Sequence, residues 1–362
     1  MRTQALNNTN LYDIQIERIA HSRVAEIDFH NIQFGKYFTD HMFCCEYEEG
    51  QWVRPVIIPY RKLELSPSIS ALHYGQAIFE GMKAYKDQHN MVSIFRPIQH
   101  LDRFNKSAAR MAMPEIPHDL FLSAMTTLID LDRSWIPTNN PDDSLYLRPF
   151  MFATDEQIGV KPSEKFLFMI FCSPVSTYYS KPIKVMLSDQ YVRAFPGGVG
   201  YAKAAGNYAA TMLPLKEARD AGFDQLLWMD GVEFKFAQEI GTMNIFFVID
   251  NQVITPILDG TILDGITRRS IIELLNDKAY HVQERRIGMD EVVQAYYNGK
   301  LEDVFGTGTA ATIAHIVEMQ YGKELLVLAP VHERKLSNEL KTELAEIKIG
   351  IRPDKHSWMY KV

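Results

Sequence analysis

Between Gly197 and Tyr208 the chain reads Gly-Gly-Val-Gly-Tyr-Ala-Lys-Ala-Ala-Gly-Asn-Tyr, which sets one lysine, Lys203, among four glycines, with Tyr208 five residues on. Glycine adopts backbone angles closed to other residues and lets a flat ligand lie against the main chain. A lysine desolvated in such a collar sheds its proton and can attack an aldehyde as a free amine. That is the chemistry by which a protein tethers pyridoxal phosphate, through a Schiff base. The same letters also describe a glycine-rich surface turn with a solvated lysine, so the assignment depends on what the rest of the chain supplies.

Pyridoxal phosphate needs an acid beside its ring nitrogen and donors for its phosphate. A carboxylate holds the proton on the ring because opposite charges at close range favour the charged forms. Gln238-Glu239-Ile240-Gly241-Thr242-Met243-Asn244-Ile245 offers Glu239 at the edge of a predicted strand. Alone it would be an ordinary strand-end glutamate, but the Gly-Thr-Met-Asn that follows is an unusual sequence for packing. Two segments could cradle the phosphate. Leu263-Asp264-Gly265-Ile266-Thr267-Arg268-Arg269 opens a predicted helix, whose first N–H groups face anions. Phe305-Gly306-Thr307-Gly308-Thr309-Ala310 supplies hydroxyls and flexible amides able to form an anion nest. Arg96, at the end of the apolar run Ile94-Phe95, is a basic partner for the phosphate or a structural arginine. Arg148 lies inside the apolar run Leu145–Phe150, where a charge needs a partner. A substrate carboxylate and a buried salt bridge both meet that need.

The elements that must position these residues mix strands with helices in both halves, which argues for an α/β or α+β fold. The chain has 362 residues, beyond the length at which one core usually stops growing, so two domains are expected. The serine-, proline- and tyrosine-bearing stretch 174–182 reads as the linker between an N-terminal domain (1–173) and a C-terminal domain (183–362). Residues 37–60 read as two strands around a turn at 48–51. A helix is expected over 68–80, a strand at 91–95 and helices near 98–112 and 117–133. Strands are expected at 145–152, 166–171, 183–188, 225–229, 233–237 and 243–249. A helix over 209–221 should end at Gly222, another should run from an Asp264 cap to Asp277, and a last one should cover 332–347.

Composition narrows the function. The 46% hydrophobic and 23% charged residues are ordinary for a globular protein, and the net charge of −7 argues against nucleic-acid binding. No run is apolar enough to span a bilayer, and the polar start at 1–20 shows no secretory signal. Cys44, Cys45 and Cys172 are too few and wrongly spaced for a disulfide framework or a zinc site. They read as buried thiols in a cytoplasmic protein, and no metal is expected. No nucleotide-binding glycine motif is present. Asn105-Lys106-Ser107 matches a glycosylation sequon by letters alone.

Together these segments resemble the branched-chain amino acid aminotransferases, pyridoxal-phosphate enzymes of fold type IV. The resemblance runs from about Phe34 to His315 and is carried by Phe34-Gly35-Lys36, His73-Tyr74 through Phe79-Glu80-Gly81, Gly197–Tyr208 and Glu239–Asn244. It implies a two-domain fold type IV architecture and transamination between L-leucine, L-isoleucine or L-valine and 2-oxoglutarate. It casts Lys203 as the Schiff-base lysine, Glu239 as the partner of the ring nitrogen and Tyr208 as a hydrogen bond to the cofactor's phenolic oxygen. Arg96, Thr242, Ile266, Thr267 and Thr307 would hold the cofactor. Thr309 and Ala310 would receive the substrate's α-carboxylate. Phe34, Tyr74, Phe79, Tyr146, Arg148 and Tyr178 would line the side-chain pocket, with Arg148, helped by Tyr146, taking glutamate's second carboxylate. Ile158 and Val160 would be contributed across a homodimer interface. A D-amino-acid transaminase or an aminodeoxychorismate lyase would share Lys203 and Glu239, but the Phe-Glu-Gly-Met-Lys and Gly-Thr-Met-Asn-Ile segments argue against both. Some relatives carry a Cys-x-x-Cys pair where this chain has Ala311 and Ala314, so a thiol switch is excluded there.

Overall fold

Two sheets are built from the aromatic and β-branched runs of the two halves of the chain. The computed structural model describes residues 12–179 and 181–362; the polar stretch 1–11 and Ser180, within the expected linker, lie outside them. The first sheet has the order Gln15–Ile16, Gln51–Pro59, His41–Glu48, Phe166–Val175, Ser144–Ala153, Met82–Lys86, Val92–Phe95, Met359–Lys361, with the short strand Ala77–Phe79 also paired to Ser144–Ala153. The second runs Ala237–Ile240, Gln225–Met229, Ile183–Leu187, Thr312–Tyr321, Leu301–Gly308, Met243–Ile249, Gln252–Thr255, Val282–Glu284. Ala237–Ile240 pairs with Met243–Ile249 as well, which closes the central strands into a ring. The fold is mixed α/β, as the alternating composition implied.

Helices Pro97–Arg110 and His118–Leu131 cover the first sheet, joining Phe43, Leu101, Phe104, Phe121, Leu128 and Phe168 in one core. Ala202 and Ala204, on either side of Lys203, belong to that same core. Apolar burial of this kind supplies about 25 cal/mol per Å², so the lysine's own segment is pinned by packing in the first half of the chain. A second seam joins Tyr85, Phe95 and Trp358 to Phe246, Leu274 and Leu340. The strand Met359–Lys361 lies antiparallel to Ser93–Phe95, so the first sheet is completed from far along the sequence.

Local chemistry accounts for the departures from the sequence reading. The helix expected over 68–80 is only Ser70–Tyr74, stopped by Gly75 at φ +65°, and Ala77–Phe79 is a strand instead. The helix expected over 209–221 is two, Ala205–Ala209 and Met212–Asp220. The strand expected at 233–237 is Ala237–Ile240, which puts Glu239 inside it rather than at its edge. Asp264 does not cap the helix Ile266–Asp277; Gly265 does, and the Asp264 carboxylate instead accepts from Arg269 Nε at 2.7 Å. A side chain at Gly265 would run into Asn244 Oδ1. The Asn105 amide is engaged at both ends by Ile116, which explains the sequon without any glycan.

Candidate active site

Lys203 is held from both sides of its own backbone. Its N–H donates to Ser107 Oγ on Pro97–Arg110 at 2.9 Å, and its carbonyl accepts from Phe79 N–H at 3.1 Å. The side chain projects into a cavity of about 840 Å³, counted out to its mouth. There Nζ stands 2.8 Å from Tyr208 Oη and 4.8 Å from the Phe79 ring centre. Tyr208 packs against Phe79 with ring centres 4.7 Å apart.

Glu239 is 3% exposed. Its Oε1 accepts from Asn244 Nδ2 at 3.1 Å and from Leu263 N–H at 3.3 Å. Arg193 Nε lies 2.5 Å from its Oε2, but that N–H is not aligned with the oxygen, so the contact is one of charge rather than a formed hydrogen bond. Burial raises the Glu239 pKa, and the charge of Arg193 pulls against it without fully restoring it. A further cation brought close to this carboxylate would favour its ionised form.

Opposite Glu239 stands a charge cluster. Arg103 Nε and Nη2 donate to the two oxygens of Glu80 at 2.7 and 2.9 Å, and Arg103 Nη1 donates to the Asp264 carbonyl at 2.9 Å. His100 Nδ1 lies 2.7 Å from Glu80 Oε2. Burial alone would raise the pKa of Glu80, which is fully buried, but Arg103 and His100 outweigh it and hold the carboxyl below the usual range. A bidentate arginine–carboxylate pair fixes the guanidinium plane as well as its charge. Thr307 Oγ1 lines the same cavity, is buried, and has no hydrogen-bond partner among the described residues. A buried hydroxyl left unpaired is unfavourable, so this end of the cavity suits an anionic ligand bearing acceptor oxygens. The N–H groups at the start of Ile266–Asp277 open onto it too.

The far wall is aromatic. Phe34 meets Tyr146 and Tyr178 edge-on, with centres 5.2 and 4.8 Å apart. Arg148 donates to Tyr146 Oη at 2.9 Å, stacks over the Phe79 ring at 4.7 Å, and leaves its buried Nε unpaired. Gly81 is required here, since any side chain would overlap the Tyr146 hydroxyl.

Of the residues singled out from the sequence, the cavity gathers Lys203, Tyr208, Glu239, Thr242, Ile266, Thr267 and Thr307 with Phe34, Phe79, Tyr146, Arg148, Tyr178, Thr309 and Ala310. Arg96 is a correction. It is not in the cavity wall: its Nη1 donates to Ser270 Oγ at 2.9 Å and Glu273 Oε1 at 3.0 Å, and its guanidinium stacks on Trp358. The arginine at the anion end is Arg103. Tyr74 is 40% exposed, and Ile158 and Val160 are 76% and 89% exposed; none of the three lines the cavity. Sequence reasoning also passed over Glu80, Asn244 and Arg193. The signal for Arg103 was present: His100, Arg103 and Ser107 recur at helical spacing on the buried face of Pro97–Arg110, beside Leu101, Phe104 and Ala108. Polar groups on an inward stripe need a polar purpose.

The family model for class IV amino-transferases matches residues 77–319. Branched-chain-amino-acid transaminase 1 of Bacillus subtilis (strain 168) is 44% identical over 337 residues, covering 92% of this chain and 94% of that protein. Branched-chain-amino-acid aminotransferase 2 of the same organism is 41% identical, covering 92% and 93%. Among solved structures, the branched-chain amino acid aminotransferase of Escherichia coli superposes with a TM-score of 0.71 at 26% identity, covering 89% of this chain and 98% of that one. The T.th. branched-chain amino acid aminotransferase complexed with N-(5'-phosphopyridoxyl)-L-glutamate superposes with a TM-score of 0.68 at 28% identity, covering 87% and 97%.

Proposed function

We infer the chemistry of this site from one premise: the chain belongs to the class IV amino-transferase family. It is a branched-chain-amino-acid transaminase, moving the amino group reversibly between L-leucine, L-isoleucine or L-valine and 2-oxoglutarate. The observation that carries the residue assignment is the partly buried Lys203–Tyr208 contact, set in one cavity with Glu239, Arg103 and the unpaired Thr307 hydroxyl.

The residues fit pyridoxal 5′-phosphate. Arg103, Thr307 Oγ1 and the amides of Ile266 and Thr267 would hold its phosphate, and Thr242 would add to that wall. Glu239 would hold a proton at the ring nitrogen, where the positive charge draws this carboxylate back toward its ionised form. When bound, the cofactor supplies an aldehyde to carry the amino group and a protonated ring to accept the electron pair released at the substrate's α-carbon. Lys203 Nζ would hold that aldehyde. As a free amine it would take the proton from the substrate α-carbon and return it in the course of amino-group transfer. Tyr208 Oη orients Nζ and would hydrogen-bond the cofactor's phenolic oxygen. Running the same proton transfer backward on a 2-oxo acid completes the ping-pong cycle.

The amides of Thr309 and Ala310 receive the α-carboxylate common to every substrate. Phe34, Phe79, Tyr146 and Tyr178 bury an aliphatic side chain. Arg148, with Tyr146, meets the second carboxylate of glutamate, and its unpaired Nε supports that reading. We also propose a division into domains at 174–182, a homodimer that covers the exposed Ile158 and Val160, and a cytoplasmic location in which Cys44, Cys45 and Cys172 remain thiols. Among the described residues no helix is long and apolar enough to cross a membrane. The decisive experiment is borohydride reduction of the yellow holoprotein followed by peptide mapping, with the label expected on Lys203. A label on another lysine overturns the assignment.

A further inference from the structure

Behind the turn formed by Thr309, Ala310 and Ala311 lies a second, much smaller cavity. Ala310 and Ala311 line both cavities, so the turn is the partition between them. Two lysines place their ammonium groups on its hidden side. Lys83, on Met82–Lys86, is 4% exposed, and Lys348, at the end of the helix Lys335–Lys348, is 6% exposed.

Each is under-used. An ammonium carries three donors, yet among the described residues Lys83 Nζ donates only to the Ala310 carbonyl at 3.1 Å, and Lys348 Nζ only to Thr312 Oγ1 at 3.3 Å. Lys348 otherwise faces rings, 4.9 Å from the centre of Phe95 and 5.5 Å from that of Tyr85. Among the described residues neither lysine forms an ion pair. Asp142 is the carboxylate whose charge reaches both, and its Oδ2 already accepts from Thr177 at 3.1 Å. Lys341 lines the cavity as a third cation. Asp142 lines the same cavity, so two buried ammoniums share one counter-charge, an unfavourable arrangement unless something further neutralises them. Burial pulls Lys83 down to about 8, and burial together with the charge of Lys83 pulls Lys348 down to about 7.

We propose that this cavity is a binding site for a halide-sized inorganic anion, held between Lys83 and Lys348 on the far side of the turn that receives the substrate's α-carboxylate. Ammonium groups are compact point charges, without the fork by which arginine grips a phosphate or carboxylate in two places, and they suit a spherical ion. Occupancy removes positive potential from behind the turn. The α-carboxylate is then held less tightly, while the groups that move the proton are untouched. This second consequence rests on the proposed reaction; the binding site itself does not.

The test has two arms. Crystals of the holoenzyme are soaked in sodium bromide, and the anomalous signal is expected between the two Nζ atoms in the wild type and absent in K348M. In solution, chloride replaces gluconate at constant ionic strength. KM for L-leucine is expected to rise about twofold with kcat unchanged, the size of effect a single partly screened charge produces, and K348M should remove the response. Bromide found only at surface positions, or a peak that persists undiminished in K348M, overturns the site. A chloride-independent KM with the peak present overturns the coupling. If K348M does not fold, K348Q, which keeps a donor for Thr312, is read in the same way. Absence of any leucine turnover would count against the transaminase reading and leave the bromide result standing.

Discussion

The two ends of the active-site cavity are built on different principles. The anion end is a set of charge-assisted hydrogen bonds between fully buried groups, with Glu80, Arg103 and His100 locked to one another and to the backbone of Asp264. The aromatic end is held by ring edges, with Phe34 and Tyr178 about 40% and 41% exposed and Arg148 making one side-chain hydrogen bond. The first must present one geometry to one ligand. The second must accept an aliphatic chain in one half-reaction and a carboxylate in the other. Stiffness is concentrated where the ligand never changes, and adaptability where it does.

The contrast can be broken most sharply at Lys203, which bridges the two ends. Lys203→Ala should abolish the yellow colour and lower kcat by at least about 10³-fold, within the usual range for a lost proton-transfer group. Near-normal turnover would dissolve the assignment of both ends. The stiff end is tested next. Glu80→Gln should cost about 3 kcal/mol of stability, because it leaves Arg103 buried without its counter-charge, and should weaken uptake of pyridoxal phosphate by the apoprotein. KM for leucine at saturating cofactor should stay near the wild-type value; a change confined to that KM would reverse the roles assigned here. The adaptable end answers to Arg148→Ala. Its kcat/KM for 2-oxoglutarate should fall about 10- to 100-fold, matching one lost charge-assisted hydrogen bond, with leucine changed far less. Equal losses on both substrates would remove Arg148 from substrate selection.

The smallest effect is a pH dependence. Glu80 titrates below its usual 4.5 in the folded protein, because Arg103 and His100 outweigh the burial that would raise it. A carboxyl depressed by folding contributes stability that is present above about 4.5 and is lost as the pH falls from there. The gap in unfolding free energy between wild type and Glu80→Gln should therefore be widest near neutrality and shrink in acid. A gap that stays constant down to about pH 3.5, well into the window where that linkage acts, would show that Glu80 matters through shape alone.

How much of this was legible in the sequence follows from how each residue acts. Lys203 and Glu239 lie in runs whose letters are unusual in themselves, and both reach the cavity. The pairing of His41–Glu48 with Gln51–Pro59 was readable because the two runs flank a polar, glycine-bearing tip. Arg103 was passed over for Arg96, since an arginine ending an apolar strand is conspicuous and one on a helix face is not. Only the fold shows that Arg96 is occupied by Glu273 and Trp358 while Arg103 faces the cavity. Glu80 is legible as a motif letter, but its pairing across the sheet–helix interface depends on tertiary geometry. The helix expected at 68–80 failed because residues 77–79 found a strand partner at Phe150–Phe152, a choice local propensity cannot make.

The antiparallel pairing of Met359–Lys361 with Ser93–Phe95, reinforced by the Arg96 N–H to Trp358 carbonyl bond at 2.7 Å, joins strands from widely separated parts of the chain. Translation must run through Lys361 before the first sheet has its full complement of strands. Until then Val92–Phe95 forms the border of that sheet, with backbone groups open to pairing by another strand.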